Sequence, residues 1–451
     1  MKLPAVGCLV VVLLSVREGA RASEGAPADA SMLSSHGSPT GAVMPEPTLP
    51  RGLGKPAGPG EDPPPLALRL IVRPLDRGML IRLPLIDTDP NRGFTFGFLP
   101  VLIVNSAKED RIQSMHAPSL TYNPTFKTNF THRYYYYPTK ESTLMVRGAI
   151  SQVLERELFV QYDNANVFGG NEEAGIKAQY NADASNRFFG VGPTTSKRAA
   201  ANYLLKTLIV DGYYGMPIYK GSNWYWTVEH RLIGNKVADG PIKSIAGVTT
   251  LYPAAVPARF HQTSAFKAFI TYDTLDSAIT TTRGTYAESF AETSQRTLGS
   301  EYVYQRFSVD LRHFRRTSDD DTFVTAGRVK FEQVIGDGVP FFLLPYLGGK
   351  YLFPAYGDGR FTTQGVLAAV LEERVTLFRL KTGGVLTKYE VAPFAGLGSS
   401  FDTPGRMTSR YARPLVGVGL RAVAPPQVVG SIDLGIGQEG MNVFMDINYP
   451  F

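Results

Sequence analysis

The chain has 451 residues, a formal net charge of +6 and a pI near 9.1, a length that admits two or three ordinary domains or one large barrel. Its 46 basic residues are interspersed with 40 acidic ones and form no stripe, so the basic balance does not indicate nucleic acid. The 45 glycines, 26 phenylalanines and 23 tyrosines describe turns and small side chains alternating with aromatics, as in membrane barrels with interfacial girdles.

Lys2 precedes an apolar run from Leu3 to Val16, followed by Ala20-Arg21-Ala22. This small-x-small form after an h-region predicts a signal peptide over residues 1–22, with the mature chain starting near Ser23. The run is shorter than the roughly 20 residues a membrane-spanning helix needs. Cys8, the single cysteine, lies inside it, so the mature chain is expected to carry no disulfide or thiolate metal site. Residues 23–67, including PRGLGKPAGPGEDPPP, hold too little apolar side chain to fold alone and read as a disordered periplasmic tail. Residues 68–92 form a lead-in, LRLIVRPLDRGMLIRLPLI, which admits either an extended segment or a short helix at a barrel mouth.

From residue 93 onward, short runs of strand character follow one another with turn signals between them and no convincing helical period. They are 94–104, 119–137, 143–153, 157–166, 176–184, 203–219, 223–237, 264–273, 285–293, 302–314, 322–334, 366–377, 387–398, 411–423, 428–437 and 441–451. About sixteen strands, an even number, predict an all-β fold: a transmembrane antiparallel β-barrel over residues 93–451. Period-2 alternation assigns the faces. Phe307, Val309 and Leu311 alternate with Arg306, Ser308, Asp310 and Arg312, and Val329 and Phe331 with Arg328, Lys330 and Glu332. A charge facing lipid at mid-depth costs about 2–4 kcal/mol, so these charges are expected to line a polar lumen. In the terminal segment, Met441, Val443, Met445, Ile447, Tyr449 and Phe451 form an apolar face, ending on an aromatic. A soluble sandwich would explain any one such strand, but not sixteen of them behind a signal peptide.

No enzyme, metal or cofactor motif emerges. The six histidines never approach metal-site spacing, and no nucleophile elbow or phosphate-binding loop is present. Asp273 and Asp276 could act as a general acid and base, but beside a turn, backbone capping is the simpler account. Asp319-Asp320-Asp321 reads as a solvated turn or a cation site. The cluster from Tyr134 to Tyr137 reads as an interfacial girdle or a stacking platform.

Four segments carry a resemblance. They are NRFFGVG from Asn186, the hairpin YDTLDSAITTTRGTY with Asp273, Asp276, Arg283 and Gly284, the run IGDGVPFFLLPYLGG leading to FPAYGDGRF, and the terminal MNVFMDINYPF with Tyr449 and Phe451. In order and spacing they resemble the bacterial surface antigen family, the barrel part of the BamA and TamA outer-membrane assembly superfamily. The resemblance implies that the loop bearing Pro354, Ala355, Tyr356, Arg360 and Phe361 folds back into the lumen. It also implies an Arg-Gly tip paired with an aspartate on a facing strand. Here Pro354 and Ala355 stand where Arg-Gly belongs, and Phe394 stands where the aspartate belongs, so an apolar contact of Pro354 and Tyr356 with Phe394 is expected instead. Relatives also carry periplasmic POTRA domains, for which residues 23–92 are too short and too rich in proline and glycine.

The resemblance implies a non-enzymatic, cofactor-free barrel in the outer membrane of a Gram-negative bacterium, in contact with lipid and lipopolysaccharide. The barrel-assembly machinery would insert it, and a separate periplasmic protein would supply client binding. Two other functions remain compatible with the sequence. One is a passive channel or transporter in which Arg306, Arg312, Arg328 and Lys330 set a weak anion preference. The other is a structural or adhesive barrel acting through long loops such as Gly240 to Phe260.

Overall fold

The computed structural model describes residues 72–446 except 108–110, 170, 258, 278–279, 383–384 and 425–427. The proposed signal, the tail, and Tyr449 and Phe451 therefore lie outside the described residues. One sheet of 20 strands dominates, 18 of them long and joined in chain order as an antiparallel meander. The first nine are β1 (Gly78–Asp89), β2 (Gly93–Asn105), β3 (Ile112–Asn123), β4 (Lys127–Tyr136), β5 (Ser142–Ser151), β6 (Arg156–Asn164), β7 (Glu173–Phe188), β8 (Ala201–Pro217) and β9 (Trp224–Asp239). The second nine are β10 (His261–Asp273), β11 (Gly284–Ser294), β12 (Tyr304–Arg316), β13 (Phe323–Ile335), β14 (Gly365–Thr382), β15 (Val385–Phe401), β16 (Ala412–Ala424), β17 (Val428–Gly437) and β18 (Gly440–Asp446). β18 returns alongside β1, but no backbone ladder joins the two among the described residues. The barrel is nearly closed.

Two corrections to the sequence reading account for 18 strands in place of about sixteen. The sheet begins well ahead of residue 93, because the lead-in supplies β1, which pairs with β2 from Gly78↔Val104 to Asp89↔Gly93. The lead-in admitted either a strand or a short helix because its second face is largely apolar too: Met79, Ile81, Leu83 and Leu85 are buried, while Leu80, Pro84 and Ile86 share the other face with Arg82. The run 119–137 is two strands rather than one, β3 and β4. They are divided at Asn123, whose Oδ1 accepts from the amides of Thr125 (2.9 Å) and Phe126 (3.2 Å), with Lys127 at φ 63°. That is an Asx turn at an Asn-Pro step, a turn signal set inside an otherwise continuous alternation.

The period-2 rule assigns the faces elsewhere as expected. Leu120, Ile150, Ile176, Leu371 and Leu397 are exposed on the outer surface, where a bilayer covers apolar side chains. Arg306, Asp310, Arg328 and Glu332 are buried on the inner one. In the tyrosine cluster, Tyr135 and Tyr137 turn inward and are buried. Tyr134 and Tyr136 stay outside with ring centroids 6.4 Å apart, beside His116, the place of an interfacial girdle.

The inner surface is not uniform. On the half of β1, β2 and β3 away from the β1–β2 turn it is apolar, with Met79, Ile103 and Met115 in one cross-strand row. On β9 to β17 it is charged, and the charges are paired. Arg231 bonds Glu292, Arg306 bonds Glu332 (2.7 Å), Arg328 bonds Asp310 (2.6 Å), and Arg421 bridges Glu372 (3.0 Å) and Asp433 (2.7 Å). Pairing offsets the desolvation that would otherwise make a buried ion costly.

Connections that follow odd-numbered strands include the two longest, 240–260 and 336–364, whereas even-numbered strands end mainly in short turns. Long loops at one rim and short turns at the other are the outer and periplasmic ends of such barrels. The 240–260 connection does not project freely. Its one-turn helix Val248–Leu251 buries Val248, and Tyr252 packs edge-on against Phe188 (4.8 Å).

Candidate functional site: the loop in the lumen

The β13–β14 connection, residues 336–364, lies inside the barrel mouth and crosses it. Its first half, from Val339 to Leu344, is the apolar run flanked by glycine turns. Phe341, Phe342, Leu343 and Leu344 are buried in one cluster with Phe188 of β7, Tyr203 and Leu205 of β8, Ile233 of β9 and Tyr304 of β12. Phe341 stacks on Phe188 at 4.1 Å and meets Tyr203 edge-on at 5.2 Å. Arg306 reaches from the charged wall to donate to the Leu343 carbonyl.

The second half packs on the other wall. Leu347, Phe353, Ala355, Tyr356 and Phe361 share a buried cluster with Val366 and Ala368 of β14, Phe394 of β15 and Leu415 of β16. Phe353 and Tyr356 stack in parallel at 5.7 Å, and a short ladder, Tyr346↔Thr362 and Leu347↔Phe361, closes the loop on itself. Tyr356 and Phe394 thus belong to the same apolar cluster. Pro354, buried between cluster members Phe353 and Ala355, has its carbonyl carbon and oxygen pressed against Gly435 of β17. A Cβ at Gly435 would come within 2.4 Å of that oxygen, and one at Gly437 within 2.7 Å of the Tyr356 ring. The two glycines form a bare floor on which the loop backbone can rest.

Beyond this cluster an ion pair pins the loop at a different position from the one the resemblance implied. Arg360, buried, donates to both carboxylate oxygens of Glu439 in the β17–β18 turn (2.5 and 2.7 Å). It also donates to Oγ1 and the carbonyl of Thr195 in the β7–β8 connection (3.0 and 2.7 Å). Its guanidinium lies 4.7 Å from the Phe189 ring and 4.2 Å from the Phe361 ring. Bidentate pairing of this kind fixes orientation as well as distance.

Three neighbouring bonds hold the same hairpin. The Gln438 amide donates to the Tyr356 hydroxyl (3.0 Å), Asn442 Nδ2 donates to the Ala355 carbonyl (2.6 Å), and Lys197 Nζ donates to the Glu439 carbonyl (3.2 Å). Burial pushes the Tyr356 phenol up from its ordinary value, so it remains protonated as both acceptor and donor. The β1–β2 turn contributes too, with Asn91 Nδ2 donating to the Asp358 carbonyl (3.0 Å). The loop tip therefore joins the turns of the first and last hairpins described.

The hairpin motif sits elsewhere, at the short-turn rim. Asp273 Oδ1 accepts from the Leu275 amide (2.8 Å). Asp276 Oδ1 accepts from the amides of Thr282 (2.9 Å) and Arg283 (3.2 Å). Gly284, at φ 115°, lets β11 leave the turn where a Cβ would meet the Thr274 carbonyl. These carboxylates cap backbone. At Asp319-Asp320-Asp321 the partners are cationic side chains: Arg316 bonds Asp321 (2.6 Å) and Lys388 approaches it (3.7 Å). The Thr322 hydroxyl and amide bring the Asp320 carboxyl down to about 2. Among the described residues no group of three or more potential metal ligands converges.

Sequence reasoning named Arg360 without its partners. Glu439 and Thr195 were missed, as were Gly435 and Gly437, for which the Gly-Ile-Gly spacing was the available signal. The four cations of the channel reading each have a carboxylate neighbour. Arg306 has Glu332 and Glu292, Arg312 and Arg328 share Asp310, and Lys330 lies 3.8 Å from Glu332. Their fields largely cancel, which removes the basis for an anion filter.

Comparison with known proteins bears on the fold that carries this loop. The model of the Omp85 superfamily domain matches residues 121–437. Among solved structures, BamA from Haemophilus ducreyi lacking POTRA domains 1-3 is similar at a TM-score of 0.54 and 13% identity, covering 81% of this chain and 74% of that one. CdiB from Escherichia coli is similar at a TM-score of 0.52 and 9% identity, covering 81% of this chain and 66% of that one, just under two thirds. At these identities the likeness speaks for the fold. No curated protein matches the chain.

Proposed function

The chain belongs to the Omp85 superfamily and is an outer-membrane β-barrel of the BamA and TamA type; on that premise we propose that it assists polypeptide assembly or translocation at that membrane, without enzymatic chemistry of its own. The observation that carries this reading is the loop that crosses the mouth and is latched through Arg360 and Glu439 to the β17–β18 hairpin. A passive pore gains nothing from a mouth crossed by buried aromatic side chains. A barrel that handles a polypeptide needs a closed lumen at rest and an element whose release reaches the seam between β18 and β1. A periplasmic protein that delivers the client, acting on the tail over residues 23–67, completes the proposal, together with the barrel-assembly machinery for the chain's own insertion.

Two measurements on the purified full chain test it. In planar bilayers the expected signal is small, irregular openings, and in liposomes an added outer-membrane barrel client should fold at least severalfold faster than in empty vesicles. A steady, large, anion-selective conductance with no acceleration of client folding would overturn the reading in favour of a channel.

A further inference from the structure

Residues 189–200 join β7 to β8. Phe188 and Ala201 already pair, so a turn of about two to five residues would close the step. The connection instead reaches toward β16 and β17, half-way round the barrel, and lies against the second half of the lumen loop. Val191 forms a parallel bridge with Thr362, and the Gly192 amide donates to the Thr362 carbonyl (2.9 Å). Arg413 of β16 donates to the Pro193 carbonyl. Arg360 donates to the Thr195 carbonyl (2.7 Å) and to its Oγ1 (3.0 Å).

From Val191 to Thr195 this strap is held through its main chain, the Thr195 hydroxyl excepted. The side chains of Val191, Thr194 and Ser196 are exposed, so little apolar surface keeps it in place. Any polypeptide carries the carbonyls and the amide that make these bonds.

The groups that receive the strap are better anchored than the strap itself. The guanidiniums of Arg413 and Arg360 lie 3.6 and 4.2 Å from the Phe361 ring, which is fully buried. Arg360 is paired with Glu439. Arg413 bonds the Pro193 carbonyl and Gln438 Oε1 (3.3 Å) and forms no ion pair among the described residues. A guanidinium held by neutral oxygens exchanges one carbonyl for another at little net cost, whereas stripping a buried charge of its counter-ion is expensive.

The geometry points to a binding site for polypeptide backbone at the outer mouth, formed by Arg413, Arg360 and Thr362, with residues 191–195 occupying it at rest as a removable strap. The ligand is a stretch of unfolded chain of any sequence, giving a carbonyl to each guanidinium and an amide to Thr362. Strap and ligand use the same groups, so an arriving chain is held only where the strap has left. This rests on the reading that the barrel handles polypeptides, and adds where on its outer side a chain is held.

Photocrosslinking of the full chain in detergent micelles tests it, with Cys8 replaced by alanine where the signal is retained. Benzoylphenylalanine replaces Gln438, whose side chain lies beside Arg413. The probe is a dye-labelled unfolded peptide of glycine, serine, threonine and alanine. Deleting Gly192–Ser196 should raise the adduct about tenfold, the worth of one charge-assisted bond. Oxidised Val191→Cys with Thr362→Cys, which fastens the strap, should abolish the adduct until reductant is added. In the deleted chain, Arg413→Gln should lower it about tenfold and Arg413→Lys less. A peptide of the same composition in scrambled order should label equally, and the heat-modifiable mobility shift reports that each variant has folded. Equal adducts from fastened and reduced chains would overturn the proposal, as would a deleted chain indifferent to Arg413→Gln. Accelerated client folding in liposomes with strap-independent adducts would sink this proposal alone; strap-dependent adducts without acceleration would sink the assembly reading alone.

Discussion

Residues 341–344 and, further along, 353–356 with 360–361 of the lumen loop are buried, yet the two halves hold to opposite walls by different forces. The first half relies on ring stacking and aliphatic packing against β7, β8, β9 and β12, with a single guanidinium from Arg306 below it. The second half has an apolar cluster of its own on β14 to β16, and adds charge-assisted bonds to a hairpin turn. Apolar packing is non-directional and is lost gradually as surfaces separate. A bidentate ion pair is either made or broken. The first half therefore acts as a fixed anchor and the second as a latch, and the latch lies on the hairpin next to the seam.

Substitutions can break this contrast in descending order of effect. Arg306→Ala should be the most damaging. It leaves Glu332 in a fully buried site with only Lys330 at 3.8 Å, strips Glu292 of one of its two guanidinium partners and frees the Leu343 carbonyl, a loss of about 3 kcal/mol. A lowered temperature for the heat-modifiable mobility shift of the barrel would register it. A wild-type transition would show that the anchor does not depend on the charged wall.

Arg360→Gln removes the latch while keeping a polar side chain. Glu439 retains 21% side-chain exposure, so water relieves part of the penalty and the expected loss is about 1–3 kcal/mol. Its distinctive sign is local: protease cleavage within 353–361 and more frequent openings in bilayers, with the mobility shift nearly unchanged. Cleavage within 339–344 instead would reverse the assignment of anchor and latch. Tyr356→Phe should be mildest, since it removes the acceptor of the Gln438 amide and the 3.5 Å donation to the Pro414 carbonyl but keeps the ring in its stack. A change of about 1 kcal/mol in the mobility transition is expected, with cleavage intermediate between wild type and Arg360→Gln.

Most of the barrel was legible in the chain because a strand with one wet and one greasy face writes itself as period-2 alternation. Arg306, Asp310, Arg328 and Glu332 were assigned to the lumen on that ground alone, and they lie there. Where both faces are largely apolar, as along Met79, Leu80, Ile81 and Leu83, the alternation fades and strand and short helix are left as alternatives. Where a turn such as Asn123-Pro124 interrupts two strands of similar pattern, they merge into one.

The candidate site was legible only in part. The loop could be placed by its glycines and its order relative to the hairpin motif. Glu439, 79 residues from Arg360 in the chain, could not be matched to it, since no local rule links a loop arginine to a turn so distant.

Sequence alone thus determined the class of the fold, the wet and lipid faces of its strands and the presence of a long loop after residue 335. These follow from side-chain periodicity and turn chemistry acting over a few residues, while the inward course of that loop was implied by the resemblance of its motifs. The tertiary structure decided the number of strands, the partner of each buried charge, the latch between Arg360 and Glu439, and the strap that reaches Arg413. Those depend on how the sheet curls until its two ends meet, and that closure brings together residues whose separation along the chain carries no signal.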